Sequence, residues 1–201
     1  LTQITIPSSV TLIEKNAFSK CTSLVQVDFP SSLTKIQNNA FYKCSSLKQI
    51  IINSSLIDIE KCAFSNCSSL TEVTIRSVNS IGENVFERCT MLKQIKINSA
   101  LNSIGKNAFI GCSQLVQISF PSSVKLIEDN AFEGCTSLKQ IIIPSSVKSI
   151  SVYIFKGCSS FEIIKIPSSV TTIEKYAFAG CSSLKQVKIP SSVNLIGKYA
   201  F

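Results

Sequence analysis

Apolar residues recur along this chain at intervals of 23 residues, and the most regular of them is a phenylalanine followed three residues later by a cysteine. The phenylalanines are Phe18, Phe41, Phe64, Phe86, Phe109, Phe132, Phe155, Phe178 and Phe201, and they are 23 residues apart except for one interval of 22. A fixed period of this length is typical of a solenoid, in which each repeat is one coil that buries its apolar side only against its neighbours. The pattern therefore predicts a stack of coils.

Aligned on its first apolar residue, the repeat unit reads Leu-x-x-Ile-x-Ile-Pro-Ser-Ser-Val-x-x-Ile-x-x-x-Ala-Phe-x-x-Cys-x-x. Nine units fit residues 1–201, which we treat as a single array. The units begin at Leu1, Leu24, Leu47, Leu70, Leu92, Leu115, Leu138, Phe161 and Leu184. The fourth unit is one residue short where Arg76-Ser77-Val78 replaces Pro-Ser-Ser-Val, and a deletion is tolerated best in a turn.

Each unit predicts two short extended stretches. Alternating apolar residues, as at Ile141 and Ile143, indicate a strand with one buried face, and stacked coils then form a parallel sheet. Proline follows this strand in six units and should end it because proline has no N–H, while the Ser-Ser pair supplies turn hydroxyls. A second apolar pair, such as Val147 and Ile150, predicts a second strand or extended run. The Ala-Phe-x-x-Cys stretch predicts a single helical turn, so the helix content should be low.

The sequence of the repeat unit resembles that of a known family. The run Leu138-x-x-Ile141-x-Ile143 resembles the strand signature of leucine-rich repeats. The stretch from Ile166 to Leu184 is similar to the BspA-like (treponemal-type) repeats of surface proteins in host-associated bacteria and parasitic protists. The resemblance implies a leucine-rich-repeat solenoid of the α/β horseshoe class, mainly β by content, with a parallel sheet on one face and nine coils. It also implies a place at the cell surface or outside the cell, and a role in adhesion or interaction.

The charge and the missing residue types argue against catalysis. The chain has 20 Lys and Arg against 12 Asp and Glu, and the lysines are scattered singly, which favours a solvated surface over an acidic partner. Histidine, the usual general base and the commonest metal ligand, is absent. We find no phosphate-binding glycine loop, metal carboxylate cluster or nucleic-acid-binding motif. We therefore predict a protein that is not an enzyme, holds no cofactor and does not take nucleic acid as its main partner.

The ends of the array predict a larger protein. No apolar run approaches the roughly 20 residues that span a bilayer, and the first residues do not resemble a signal peptide. The array begins on the first position of a unit and stops at Phe201 before the next cysteine, so neither end has the polar cap of an exposed solenoid end. We expect a fragment whose membrane anchor lies outside residues 1–201 and whose ends are prone to self-association.

Eight of the nine cysteines occupy one position of the repeat, and we predict that they are buried free thiols. They are Cys21, Cys44, Cys67, Cys89, Cys112, Cys135, Cys158 and Cys181. A free cysteine behaves as a small hydrophobic residue. Disulfides between adjacent coils remain an alternative, because strands about 4.8 Å apart fall within the separation that a disulfide accepts. A zinc site is less favoured, since Cys62 and Cys67 form a lone pair without histidine.

Cys62 lies in a second column, which holds asparagine in the early units and tyrosine in the last three. The other members are Asn16, Asn39, Asn84, Asn107, Asn130, Tyr153, Tyr176 and Tyr199. Amides can hydrogen-bond along a stack and tyrosine rings can stack, which favours a structural role. The alternative is an aromatic strip that meets a partner.

A third column marks the candidate binding residues. The third position of the first strand is glutamine in seven units, with Glu72 and Ile163 as the exceptions, and alternation points it to the open face. The column is either a solvated glutamine ladder or part of the concave sheet face through which the family resemblance implies contact. On the second hypothesis the binding residues are Gln49, Ile51, Gln94, Lys96, Gln117, Gln140, Ile142, Lys165 and Lys188. The face becomes more basic toward its C-terminal end.

The leading functional hypothesis is a cell-surface module that adheres through this face to a protein or glycan of host cells or extracellular matrix. Many weak contacts along a rigid face need no ordering of a flexible loop. One alternative is a stalk or spacer. Another is a basic scaffold that binds anionic glycans, with an affinity that falls steeply with salt. Acceptor patterns for N-linked glycans at Asn53 and Asn66 are matches of low specificity.

Overall fold

The chain folds into coils whose strands form two rows. The computed structural model describes residues 1–97 and 101–201. Strands of the first row are β1 (Gln3–Thr5), β3 (Gln26–Asp28), β7 (Gln94–Ile97), β9 (Gln117–Ile118), β11 (Gln140–Ile142), β13 (Ile163–Lys165) and β15 (Gln186–Lys188). Strands of the second row are β2 (Leu12–Ile13), β4 (Lys35–Ile36), β8 (Ser103–Ile104), β10 (Leu126–Ile127), β12 (Ser149–Ile150), β14 (Thr172–Ile173) and β16 (Leu195–Ile196). Two longer strands, β5 (Gln49–Ile59) and β6 (Glu72–Ile81), belong to both rows.

Each strand pairs in parallel with the equivalent strand of a neighbouring unit. Gln94, Gln117 and Gln140 are partners across β7, β9 and β11, and the second row repeats this register one unit apart. This arrangement confirms the predicted parallel sheet and the second strand of each unit. The array has about eight complete turns, because the ninth unit ends at Phe201, and the described residues contain no helix.

Proline sets the length of the first-row strands. Each of the six prolines is the first residue of a turn, as where the Val10 N–H donates to the Pro7 carbonyl at 3.0 Å. Where Asn53 and Arg76 replace proline, β5 and β6 continue into the second row. The one-residue deletion of the fourth unit falls here, and the register shifts between Ile52 and residue 55 of β5. The extra residue is absorbed as an irregularity of β5, as in a β-bulge.

The predicted helical turn is wrong. The segment around Ala17 and Phe18 is a chain of overlapping turns, in which the Ser19 N–H donates to the Asn16 carbonyl at 3.0 Å. The backbone enters the left-handed region twice, at Asn16 with φ 61° and at Lys20 with φ 62°. A helix is excluded because two left-handed residues four positions apart reverse the right-handed winding of the backbone.

The same two positions are left-handed along the stack. One is the asparagine and tyrosine column, and the other holds Lys20, Lys43, Asn66, Arg88, Gly111, Gly134, Gly157 and Gly180. Asparagine and glycine tolerate positive φ best, which explains their recurrence. In the first column, the amide of Asn107 donates to that of Asn84 at 3.5 Å, whereas Asn84 and Asn130 donate to glutamates. The predicted tyrosine stacking is confirmed, with Tyr153 and Tyr176 rings 4.9 Å apart.

Phenylalanine rings and thiols fill the core. The nine rings of the phenylalanine column stack from unit to unit with centroids 5.0 to 5.8 Å apart. Next to them lie the free thiols of the cysteine column, which are buried from Cys44 to Cys181, as predicted. Each of these seven thiols donates to a phenylalanine carbonyl of the preceding unit, as Cys112 does to Phe86 at 3.1 Å.

Candidate binding face

The outward side chains of the first-row strands form one exposed surface, which we call the sheet face. It consists of the third and fifth positions of each unit. Their burial alternates with that of the inward residues, as in β11, where Gln140 and Ile142 are exposed on either side of the buried Ile141. All nine candidate residues lie on this face and are exposed: Gln49, Ile51, Gln94, Lys96, Gln117, Gln140, Ile142, Lys165 and Lys188.

Strand register brings some of these residues together and separates others. Gln94, Gln117 and Gln140 follow one another in the third-position column. In the fifth-position column, Ile142 is the partner of Lys165 and Lys165 is the partner of Lys188. The sixth unit separates Lys96 from this group. The candidate residues therefore form a central glutamine row and a separate C-terminal cluster.

The predicted glutamine ladder does not form. Gln26 donates to Asp28 of its own strand at 2.9 Å, and Gln49 donates to Glu72 at 3.3 Å. Within the described residues no glutamine of the column bonds to another. For Gln26 and Gln49 a carboxylate is the stronger acceptor, because hydrogen bonds to ionised groups are about twice as strong as those between neutral groups.

Charge is distributed unevenly along the sheet face. The N-terminal half holds Asp28 and Glu72, and both accept hydrogen bonds from side chains of the face; Asp28 also accepts from Thr5 at 3.1 Å. The C-terminal half holds Lys165 and Lys188, for which the described residues provide no hydrogen-bonding or ionic partner. The basic end of the face is therefore open to an external anion.

Two features of the face lie outside the predicted binding residues. The first is Ile163, which is 64% exposed, as alternation at its position predicts, but which was not named as a binding residue; its departure from glutamine was the available signal. The second is an interruption of the sheet, because β3 pairs with β1 and not with β5. A recess of about 530 Å³ lies there, lined by Asp28, Phe29, Lys48 and Ile51 among others. Phe29 stands at a position that holds isoleucine in most units, but Phe120 holds the same position without an interruption, so the sequence carried no signal for this recess.

The described residues offer little for catalysis. They contain no group of three or more histidine, cysteine, aspartate or glutamate side chains that could hold a metal ion. Burial raises the pKa of the Cys44 thiol to about 12 and that of Cys181 to about 11, so these thiols are neutral at physiological pH. A thiolate is the nucleophile in cysteine chemistry, and these residues lack it. Within residues 1–97 and 101–201, no helix is long and apolar enough to cross a membrane.

Comparison with known proteins decides the family. The family model described as the BspA type leucine rich repeat region (6 copies) matches residues 1–116 and 102–201. The chain belongs to the BspA-type leucine-rich repeat family. The resemblance inferred from the repeat unit is thereby confirmed, and so is the fold class. A search of the curated proteins found no match.

Three solved structures of bacterial proteins are similar to the BspA-type array. The T. pallidum leucine rich repeat protein is 28% identical over 91% of this chain and 78% of that one, with a TM-score of 0.63. The pneumococcal vaccine antigen PcpA is 25% identical over 99% and 69%, with a TM-score of 0.61. A leucine rich cell surface protein of Faecalibacterium prausnitzii A2-165 is 27% identical over 98% and 79%, with a TM-score of 0.51.

Proposed function

We propose that this BspA-type array is a cell-surface module that binds a macromolecule of a host cell or extracellular matrix through its sheet face. The observation that carries the proposal is the rigid face itself, which exposes unpaired lysines and isoleucines in fixed register. Support for the location comes from the similar proteins, one described as a cell surface protein and one as a vaccine antigen. The array acts by binding and not by catalysis.

Affinity arises from many contacts on a surface that is already ordered. The strands from β6 to β13 that carry the face are paired on both sides, and β15 is paired with β13, so the backbone loses little conformational freedom when a partner binds. Exposed apolar side chains supply buried area, and unpaired lysines supply long-range attraction and orientation. A stalk or spacer would need neither property.

The test is binding of the purified array to immobilised matrix proteins, sulfated glycans and host cells over a series of salt concentrations. A triple variant, Lys96→Ala, Lys165→Ala and Lys188→Ala, should weaken saturable binding by at least tenfold, since each lysine contributes about 0.5 to 1 kcal/mol at a partly exposed contact.

The matched control removes the same charge elsewhere. The exposed lysines 15, 125 and 148 lie outside the sheet face, and their triple alanine variant should bind like the unmodified array. Equal losses in both variants would indicate a non-specific charge effect. Absence of binding to every surface would refute the proposal in favour of a spacer.

A further inference from the structure

The C-terminal part of the sheet face carries two exposed isoleucines on adjacent strands. Ile142 of β11 is 77% exposed and Ile163 of β13 is 64% exposed. Gln140 is the partner of Ile163, so the two isoleucines are diagonal neighbours, about 8 Å apart from strand geometry. Apolar side chains that stand together on the surface of a sheet mark an interaction site better than single ones do.

Lysines surround this pair. Lys165 lies directly beside Ile142, and Lys188 lies directly beside Lys165. Two like charges in register on neighbouring strands repel each other, and the described residues provide no counterion for either. Lys139 and Lys185 flank the same strands, with Glu162 as the acidic residue between them, so four lysines face one glutamate. An external anion would remove the repulsion.

A recess of about 1000 Å³ adjoins the cluster and is lined by Glu162, Ile163, Lys185, Gln186 and Lys188 among others. The site therefore combines an apolar surface, a cationic rim and an open depression that can receive a side chain. Interfaces between proteins are built in this way, with an apolar centre and a polar rim.

We propose that units 7 to 9 bind an extended acidic segment of a partner protein, which places an apolar side chain on Ile142 and Ile163 and its carboxylates on Lys165 and Lys188. This inference rests on the proposed function and names the partner's chemistry. An anionic glycan would satisfy the lysines, but it would gain little from two isoleucines. Residues i and i+2 of an extended peptide lie about 6.6 Å apart, so its carboxylates can reach lysines on adjacent strands.

The probe is a fluorescein-labelled heptapeptide, Glu-Ser-Glu-Ser-Leu-Ser-Leu, whose acidic and apolar side chains lie on one face of the extended chain. The readout is fluorescence anisotropy against the intact array. Each substitution uses a residue that the same column already contains in another unit, so that the coil retains its packing. Ile142→Thr with Ile163→Gln should weaken binding by about tenfold, as loss of partly buried apolar area predicts. Lys165→Ser with Lys188→Thr should weaken it similarly and flatten its salt dependence.

The control variant changes matched residues off the sheet face and outside units 7 to 9. Leu126→Ser with Lys125→Asn removes one exposed apolar side chain and one exposed lysine of the second row and should leave peptide affinity unchanged. Equal loss in this variant would overturn the inference. Two further probes test the role of the isoleucines: a heptapeptide with serine in place of leucine, and a heparin fragment. If both bind as tightly as the original peptide, and bind the isoleucine variant normally, the inference is overturned and the site is one for anionic polymers.

The inference and the proposed function can fail separately. If the array binds host cells or matrix and the glutamate–leucine peptide does not bind, the inference is wrong and the proposed function stands. If the peptide binds through units 7 to 9 and no cell or matrix surface is bound, the site is real and the proposed location or partner is wrong.

Discussion

At the scale of single residues, the buried thiols link the core to pH. Seven of them donate to carbonyl groups of the preceding unit and lie among apolar side chains, where a thiolate would lose its hydration. Burial accordingly raises the pKa of the fully buried Cys112 well above the ordinary value, and the neighbouring thiol of Cys135 raises it further. Each buried thiol thus stabilises the fold only in its neutral form.

The free energy of unfolding should therefore fall in alkaline solution. Below about pH 8.5, the ordinary thiol pKa, both states keep their protons and the stabilisation is complete. Above about pH 8.5 the unfolded chain ionises first, and each thiol lowers the free energy of unfolding by about 1.4 kcal/mol per pH unit until its folded pKa, about 12 for Cys44, is reached.

Urea unfolding in the presence of a reductant measures this decrease at about pH 7.5 and about pH 9.5, on either side of the ordinary thiol pKa of about 8.5. A Cys112→Ala array should show a smaller decrease, and a flat profile would contradict the account.

Side-chain burial and exposure were predictable from the sequence, whereas the left-handed backbone positions were not. Burial of the cysteines followed from their apolar spacing, and exposure of the nine face residues followed from strand alternation. The left-handed backbone did not follow, because tyrosine at Tyr153, Tyr176 and Tyr199 and lysine at Lys20 and Lys43 rarely adopt positive φ. Their conformation is imposed by hydrogen bonds between units, such as the Lys20 N–H to the Tyr42 carbonyl at 2.6 Å.

At the scale of elements, the turn after the first strand is fixed by two hydrogen bonds. In the first, the N–H three residues after proline donates to the proline carbonyl, as Val170 does to Pro167 at 3.0 Å. The second comes from the second serine of Pro-Ser-Ser, whose hydroxyl donates to a carbonyl of the preceding unit, as Ser169 does to Val147 at 2.7 Å. Ser32, Ser123, Ser146 and Ser192 do the same. The sequence predicted that these serines supply hydroxyl groups to the turn, but it did not predict that the hydroxyls donate to the preceding unit.

The two serines of one turn should therefore differ in their contribution. Ser169→Ala removes an inter-unit hydrogen bond and should lower the free energy of unfolding by about 1 kcal/mol. Ser168 is exposed, and the structure gives its side chain no partner, so Ser168→Ala should change stability by less than about 0.5 kcal/mol. Denaturant unfolding of the two variants in parallel measures the difference. Equal effects would show that the hydroxyl bond contributes nothing to the turn.

At the scale of the whole molecule, the repeat explains most of the fold and little of its irregularity. A 23-residue period with an apolar column is enough to predict stacked coils and a parallel sheet. The interruption between β3 and β5 had no signal in the sequence, because Phe29 and Phe120 hold the same position of the repeat and β9, next to Phe120, pairs on both sides. The basic C-terminal end with Lys165 and Lys188 was predicted, but the lack of partners for these lysines was not, because sequence shows charges without showing which of them are neutralised.

The stacked core predicts that damage stays local. Phe109 is fully buried between Phe86 and Phe132, with centroids 5.4 and 5.3 Å away, and Phe109→Ala should cost about 3 to 5 kcal/mol. Because each coil contacts only its neighbours, hydrogen exchange should accelerate most in units 4 to 6 and least in the first and last units. Among the described residues, Phe201 is 53% exposed and stacks on Phe178 alone, so Phe201→Ala should cost less than half as much. Uniform loss of protection along the array after Phe109→Ala would instead show that the coils unfold as one cooperative unit.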